Sequence, residues 1–340
     1  MTAPTAAARH PTRGDLRTLL NTPGSTTVLI DGSRDPNSGV TVLHVPPGAA
    51  APRLAVKIAT TSAAAAVIER EAALLTELER RDLPRVGPTL PRHRGVFDVD
   101  GMLAVAATVV PGTPMRTGYH AFRHTAHPAR VSADFSAAAD WLTALHTDSA
   151  AGCAQVSLFD GVIAGIEARW PGDAAARALA HELPAVAARL ATAATPRTVV
   201  HGDFWAGNLL VTSGEISGVV DWAGGELSGE PLRDVARFAL SYSLYLDRHT
   251  RPGRRVAGHP GLRADGWGAG IRYALAGGHW FGRLVRDFVG QALTRLGAAD
   301  ALWRDVLLAG VAEVAVTADH PDFAARHRDL LLHLIGEVAP

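Results

Sequence analysis

The stretch HGDFWAGN, residues 201 to 208, sets a carboxylate at Asp203 and a carboxamide at Asn208 five residues apart, between β-branched apolar runs. Thirteen residues after Asn208 comes Asp221, at the end of LLVTSGEISGVVDW, which reads as strand, turn and strand. An acid and an amide on one loop, with a second acid closing the next hairpin, can converge on a small volume. Asn208 and Asp221 are hard oxygen donors of the kind Mg²⁺ takes alongside waters and phosphate oxygens. Asp203 is then left to accept a proton from a hydroxyl, an effect typically worth about 10²–10⁴ in rate. A turn in which Asp203 and Asn208 only cap backbone amides accounts for either residue, but not for the set with Asp221 and Lys57.

Lys57 is the only lysine beside 32 arginines. It sits in RLAVKIAT, an alternating run whose apolar neighbours predict a half-buried strand. An ammonium is a compact point charge that fits between phosphate oxygens where a wide, planar guanidinium does not. Downstream, SAAAAVIEREAALLTELERRDL places Ala65, Ile68, Ala72, Leu75 and Leu78 at helical intervals. Glu69 and Glu71 lie near the start of this helix, where acids also favour the dipole. Of the two, Glu71 is the candidate to hold the Lys57 ammonium.

These residues need a scaffold, and the sequence outlines one. STTVLIDGSRDPNSGVTVLHV reads as two strands joined by a turn rich in Gly, Ser, Asp, Pro and Asn. Backbone amides in that turn, around Ser33 and Ser38, can cover phosphates as well as close a hairpin. No GxGxxG and no GxxxxGK[ST] is present, so neither the dinucleotide fingerprint nor the P-loop applies. DVDG separates two further strand-like runs, and VVPGTPM then breaks regular structure, which divides the chain into residues 1–110 and 111–340. From Ser132 onward the pattern is helical, with His146 expected to pack or to close the helix end.

Composition bounds the rest. A chain of 340 residues, 47% apolar, can bury a large core in two lobes. Acidic and basic residues balance at 33 each, which gives no reason to expect nucleic acid or an anionic membrane as partner. The single cysteine, Cys153, excludes an intramolecular disulfide, and MTAPTAAARHPTRG lacks the apolar core of a signal peptide. The longest uncharged apolar stretch, Gly101 to Met115, contains two prolines. A cytoplasmic protein, monomeric or homodimeric, is expected.

The block resembles the aminoglycoside phosphotransferase and choline kinase superfamily, small-molecule kinases with a protein-kinase-like fold. The family pattern HxDxxxxN, an apolar strand pair, then DxxxxxxxGxPxxD is matched by His201, Asp203, Asn208, Asp221, Gly229, Pro231 and Asp234. VVPGTPM is similar to the family's inter-lobe linker, and RLAVKIA to its nucleotide-lysine strand. The resemblance implies an α+β bilobal fold, with a small β-rich N-lobe and a larger, mostly helical C-lobe. It implies that Asp203 orients and deprotonates an acceptor hydroxyl, that Asn208 and Asp221 hold Mg²⁺, and that Lys57, steadied by Glu71, grips ATP (or GTP) phosphates. Adenine is expected on backbone groups around Ala107 to Val109, and Asp234 is expected to buttress the catalytic loop.

The resemblance implies an acceptor that is a small molecule bearing a hydroxyl. The resemblance points to a sugar-containing antibiotic, inactivated by O-phosphorylation, or a related metabolite. A housekeeping kinase of an amino sugar, choline-like alcohol or homoserine is the alternative, and a catalytically silent nucleotide-binding module is the alternative of another class. From Asp221 to Pro340 the chain carries 14 acidic and 14 basic residues, so no acidic face for a polycation is evident in the count. Glu226, Glu230, Asp247, Asp265 and Asp287 are the acids available to form one locally. Trp222, Trp267, Trp280 and Phe281 offer flat walls, although aromatics at such spacing also build cores. Glu226, Glu230, Trp280 and Asp287 are the substrate candidates. HTRPGRRVAGHPGLRADGWGAG, residues 249 to 270, reads as a long exposed loop, either a lid or a disordered insertion, whose arginines favour a carboxylate or phosphate.

Overall fold

The computed structural model describes residues 23–30 and 39–336. They divide into two units, one comprising the residues up to Arg80 with Pro91–Val109, the other Arg81–Leu90 with everything from Val110 on. The turn residues Ser33 and Ser38 lie outside the described residues.

The first unit is a five-stranded antiparallel sheet with one helix: β1 (Thr26–Ile30), β2 (Gly39–Val45), β3 (Leu54–Ala59), α1 (Ser62–Arg80), β4 (His93–Val99) and β5 (Met102–Thr108), in the spatial order β1-β2-β3-β5-β4. Strand alternation gives the sheet two dissimilar faces. Val42, Val56, Ala104 and Ala106 pack together on one. On the other, Ala59 and Val105 pack against Ala64, Ile68 and Ala72 of α1. Lys57 pairs directly with Val105 across the β3–β5 ladder. Residues directly opposite in a ladder share a face, so Lys57 projects toward α1. Thr61 caps that helix, its Oγ1 accepting from the Ala64 amide at 3.1 Å. The β4–β5 turn follows its sequence: Asp100 and Gly101 adopt φ of 51° and 82°, the left-handed pair a tight hairpin needs.

The second unit is mainly helical: β6 (Thr113–Pro114), α2 (Met115–Tyr119), α3 (Pro128–Ser149), β7 (Ala151–Gln155), α4 (Val162–Arg169), α5 (Ala174–Leu190), β8 (Ala194–Val200), β9 (Leu209–Thr212), β10 (Glu215–Val219), β11 (Glu226–Gly229), α6 (Leu232–Leu244), α7 (Ala269–Ala276), α8 (Trp280–Arg295), α9 (Trp303–Thr317) and α10 (Pro321–Gly336). Two small sheets, ordered β10-β9-β6 and β11-β8-β7, carry the functional loop among the helices. Residues 81–90 belong here because Arg81 donates to the Leu227 carbonyl at 3.0 Å and Asp148 accepts from the Arg85 and Val86 amides. The core is aromatic. Phe135 of α3 meets Phe238 and Tyr242 of α6 and Phe281 and Phe288 of α8, with centroids 5.0 to 6.1 Å apart and edge-on rings.

Residues 249 to 270 are more ordered than their composition suggests. Val256, His259, Leu262 and Ala264 are buried, and Arg255 and Arg263 form a bridge. His259 donates to the Thr125 carbonyl at 2.8 Å, while Tyr273 donates to Pro260 and Trp280 to Gly258. Four small apolar or aromatic anchors spread among arginines and glycines are enough to dock the segment, and no helical or strand period advertises them. Among the described residues no helix is long and apolar enough to cross a membrane.

In three of the buried histidines, His146, His259 and His327, burial lowers the pKa to about 4. In the unfolded chain they titrate near 6.5, so between about 6.5 and 4 the unfolded state binds more protons. Stability is therefore full above that window and falls as the pH drops through it, by up to roughly 3 kcal/mol for each group. Urea midpoints are expected to decline from pH 6.5 to 4.5. Because His146 Nε2 has no hydrogen-bond partner, His146→Leu is expected to give a shallower decline; an unchanged slope would remove that residue from the account.

Candidate active site

In the first unit the Lys57 ammonium lies 2.6 Å from Glu71 Oε2. Glu71 is buried in the middle of α1 beside Ile68 and Ala72, whereas Glu69 points to solvent. The pair fixes the ammonium at a defined point on the sheet, and the Lys57 side chain stays 31% exposed. Of the base-binding candidates, Ala107 sits in the β5 ladder opposite Ala55, and the Val109 amide donates to the Arg53 carbonyl at 3.0 Å.

In the second unit β8 delivers the chain into the loop at His201. The His201 ring is fully buried, and its two nitrogens are assigned by their partners. Nε2 donates to the Val220 carbonyl at 2.9 Å, and Nδ1 accepts from the Asp203 amide at 3.1 Å. Val220 in turn donates its amide to the Asn208 carbonyl at 3.0 Å. The residue preceding Asp221 is thus bonded to both ends of the loop, which joins the loop to the hairpin. Asn208 Nδ2 donates to the Asp203 backbone carbonyl at 3.0 Å and to its Oδ2 at 3.1 Å. Both partners are acceptors, so the amide must present its NH₂ group there and its Oδ1 elsewhere.

Two backbone features hold this arrangement. Gly202 has φ of +80°, and a Cβ on it would lie 2.0 Å from the Gly224 carbonyl oxygen, so the loop and the turn after Asp221 approach at a distance only glycine permits. Asp221 itself adopts the left-handed region, φ 68° and ψ 65°. Such a conformation costs of order 1–3 kcal/mol in a non-glycine residue and persists where the surroundings fix it. Trp222 supplies that fixity: it is fully buried, bonds the Val219 carbonyl at 3.0 Å and sits 4.7 Å from the His201 ring. Between Asp203 and Asn208, Phe204 turns inward, stacking on Trp141 at 5.2 Å.

Helix α6 fastens the loop from beneath. Asp234, wholly buried in its first turn, accepts from the His201 amide at 2.6 Å and the Gly202 amide at 2.8 Å. Burial pushes this carboxyl above the ordinary aspartate range, opposed by the His201 ring and the two amides. One turn on, Arg237 donates to Asp203 Oδ1 from Nε at 2.8 Å and Nη2 at 2.7 Å. Asp203 therefore has one oxygen on a guanidinium and the other on an amide, with a side chain still 35% exposed. Arg237 was not singled out from the sequence; its spacing of three from Asp234, on the same helix face, is the signal that finds it.

The substrate candidates lie in other surroundings. Glu226 pairs with Arg233, which also donates to Glu313. Glu230 is buried, accepts from Thr195 at 2.9 Å and faces Arg197; burial pushes its carboxyl up, and those partners oppose the shift. Both line a cavity of about 600 Å³ that Asp203, Asn208 and Asp221 do not line. Trp280 stacks on His259 at 5.1 Å. Asp287 is exposed beside Arg286. Trp222 and Phe281 are core residues, and Trp267 packs on His327.

A small antiparallel sheet with a lysine–glutamate pair, together with a helical unit carrying an Asp–Asn loop and an Asp hairpin, defines a kinase-like phosphotransferase. The chain belongs to the phosphotransferase enzyme family, whose model matches residues 38–270. No curated protein matches the sequence. Among solved structures, the fold is similar to aminoglycoside phosphotransferase APH(4)-Ia, with 13% identity, 96% of this chain and 97% of that chain covered, and a TM-score of 0.58. It is also similar to a thermostable APH(4)-Ia mutant in ternary complex with ADP and hygromycin B, at 14% identity, 96% and 98% coverage and a TM-score of 0.55. A third is ADP-bound APH(2'')-Ib, at 16% identity, 94% and 95% coverage and a TM-score of 0.53.

The loop geometry separates two roles on α6. Replacing Asp234 by Ala strands the buried His201 amide and the half-buried Gly202 amide, at up to about 1–3 kcal/mol each, so its first effect is a lower melting temperature. Arg237→Met leaves the loop backbone tied and frees only the Asp203 carboxylate. It is expected to lower kcat about 10–100-fold with a melting temperature within a few degrees of the parent. Paired melting curves and turnover assays check both.

Proposed function

We propose that this enzyme transfers the γ-phosphate of ATP to a hydroxyl of a small molecule. The observation that carries the reading is the stitched loop and hairpin, which sets Asp203, Asn208 and the Asp221 turn side by side through His201 and Val220. Asp203, held at both oxygens and still reachable, is the group to orient the acceptor hydroxyl and take its proton. The acceptor oxygen bonds to the γ-phosphorus, the bond from that phosphorus to the β–γ bridging oxygen breaks, and ADP leaves with the electron pair. Positioning and charge neutralisation supply most of the acceleration in this chemistry.

Lys57, fixed by Glu71, is the cation for the α- and β-phosphates. Among the described residues no group of three or more His, Cys, Asp or Glu could hold a metal. Asn208 and Asp221 would hold Mg²⁺, and this donor set of one amide and one carboxylate fits a cation whose remaining ligands are water and phosphate oxygens. The ion, when bound, neutralises charge on the phosphates. The complexes of similar folds with ADP and hygromycin B support a nucleotide co-substrate and a sugar-type acceptor. On that basis the acceptor is a sugar-containing antibiotic or related metabolite.

The test is Mg²⁺-dependent release of ADP from ATP, with GTP in parallel. Asp203→Asn is expected to lower turnover at least about 10²-fold while ATP still raises the melting temperature. Equal slow turnover in both proteins would instead favour a silent nucleotide-binding module.

A further inference from the structure

A cavity of about 140 Å³ opens beside the catalytic loop within the second unit. Trp205 of the loop forms one wall, α2 contributes Arg116, and α6 with the residues after it contributes Ser241, Tyr245 and Arg248. The first turn of α2 is fixed to the loop, since the Arg116 amide donates to the Ala206 carbonyl at 2.8 Å. Helix periodicity explains the location. Asp234, Arg237, Ser241 and Tyr245 follow at i, i+3, i+7 and i+11, so they form one stripe along α6 and its end. The first ties the loop backbone, the second holds Asp203, and the last two line the cavity. It therefore begins about one helical turn, roughly 5 Å, beyond the arginine on the catalytic carboxylate.

Its chemistry is cationic and aromatic. No carboxylate lines it. The Arg116 guanidinium lies 5.9 Å from the Trp205 ring centre and that of Arg248 lies 5.5 Å from Tyr245. Among the described residues neither guanidinium has an acidic partner, in contrast to Arg189, Arg197 and Arg233, whose carboxylates lie within 3.2 Å. An exposed, unpaired arginine is ordinary on a surface; two that share one cavity and stack on its aromatic walls are positioned. His120, also on the wall, is lowered by burial and by the positive charges of Arg248, His249 and Arg116.

Two nearby acids are occupied. Asp134 accepts from the Tyr242 hydroxyl at 2.7 Å and faces His124, and Asp203 is on Arg237. Asp247 is half-buried, and burial pushes its carboxyl up. The Tyr119 hydroxyl donates to the Tyr242 carbonyl at 2.8 Å, so the two buried tyrosines set the shape of the wall while the arginines remain for a ligand. The volume is well below the roughly 300–1,000 Å³ of sites that enclose drug-sized ligands, and it suits one ring or one headgroup.

We infer that this cavity selects hydroxylated acceptors that carry an oxyanion, a carboxylate or a phosphate group, gripped by Arg116 and Arg248 with Trp205 and Tyr245 flanking the ring. This rests on the phosphotransferase reading above and narrows its acceptor. Guanidinium forks match planar carboxylates and phosphates in charge and shape. An ammonium-rich aminoglycoside in the same place would meet two unneutralised guanidinium groups.

The experiment compares glucose with glucuronate and with glucose 1-phosphate as acceptors, and includes hygromycin B as the cationic arm, using the full chain with Mg²⁺ and ATP. At least tenfold higher kcat/KM is expected for one or both anionic sugars over glucose; which one separates carboxylate from phosphate recognition. Arg116→Met and Arg248→Met are expected to raise KM for the preferred anionic sugar at least tenfold and to shrink its advantage over glucose. Arg286→Met, on the exposed face of α8, keeps that advantage. Preference for glucose or hygromycin B overturns the inference, as does an advantage that survives both cavity substitutions. ATP turnover that depends on Asp203 but discriminates none of the acceptors overturns the inference alone. Loss of any Asp203-dependent ATP turnover overturns the phosphotransferase reading instead.

Discussion

A carboxylate with no exposure, Asp234, holds the two backbone amides at which β8 becomes the HGDFWAGN loop. Amides left unpaired in that interior are expensive, and a loop turning over the start of a helix has few other acceptors within reach. The bond fixes the direction in which the chain leaves His201. Everything after it inherits that direction: Gly202 presses against Gly224, His201 reaches Val220, and Phe204 enters the aromatic core while Asp203 stays at the surface.

The same helix then acts on charge. Arg237, one turn from Asp234, sits on the carboxylate proposed to take the proton. A guanidinium donates from two nitrogens at once and so sets an angle as well as a distance, which a single ammonium does not. The first unit uses the opposite device. Its one ammonium, Lys57, meets one oxygen of Glu71 in a point contact, which sets a distance without setting a plane. The contrast gives a physical reason for a lone lysine in a chain otherwise built with arginine: the two positions ask for different cation shapes.

Much of this was legible in the sequence. Strand alternation around Lys57, the helical period of α1, the DVDG turn and the loop motif each act over a few residues, so local pattern finds them. Glu71 rather than Glu69 is the partner of Lys57 because a helix residue facing a sheet must share the face of Ile68 and Ala72. Arg237 escaped because an arginine in an arginine-rich chain carries no signal of its own. The anchors of residues 249–270 escaped because His259 and Val256 are isolated apolar or aromatic points in a polar run, and their burial depends on α7, α8 and the Thr125 carbonyl, far away along the chain.

Charge shows most clearly why counting falls short. The balance of 14 acids and 14 bases from Asp221 onward describes a neutral surface, yet the charges are sorted in space. Glu226, Glu230 and Glu313 gather with Arg197 and Arg233 in one cavity, where each glutamate meets a guanidinium and Asp160 leaves the lining with more acids than bases. Arg116 and Arg248 come together at the other cavity, beside the loop, without carboxylates. A field is set by separation over a few ångströms, and salt erases it over about 10 Å, so only the local arrangement acts on an acceptor. The two arginines are 132 positions apart in the sequence and are joined only because α2 bonds Ala206 while α6 carries the chain back to the same loop. On the proposed reading, acceptor charge is decided by which helices return to the HGDFWAGN loop, a property of topology that no tally of residues contains.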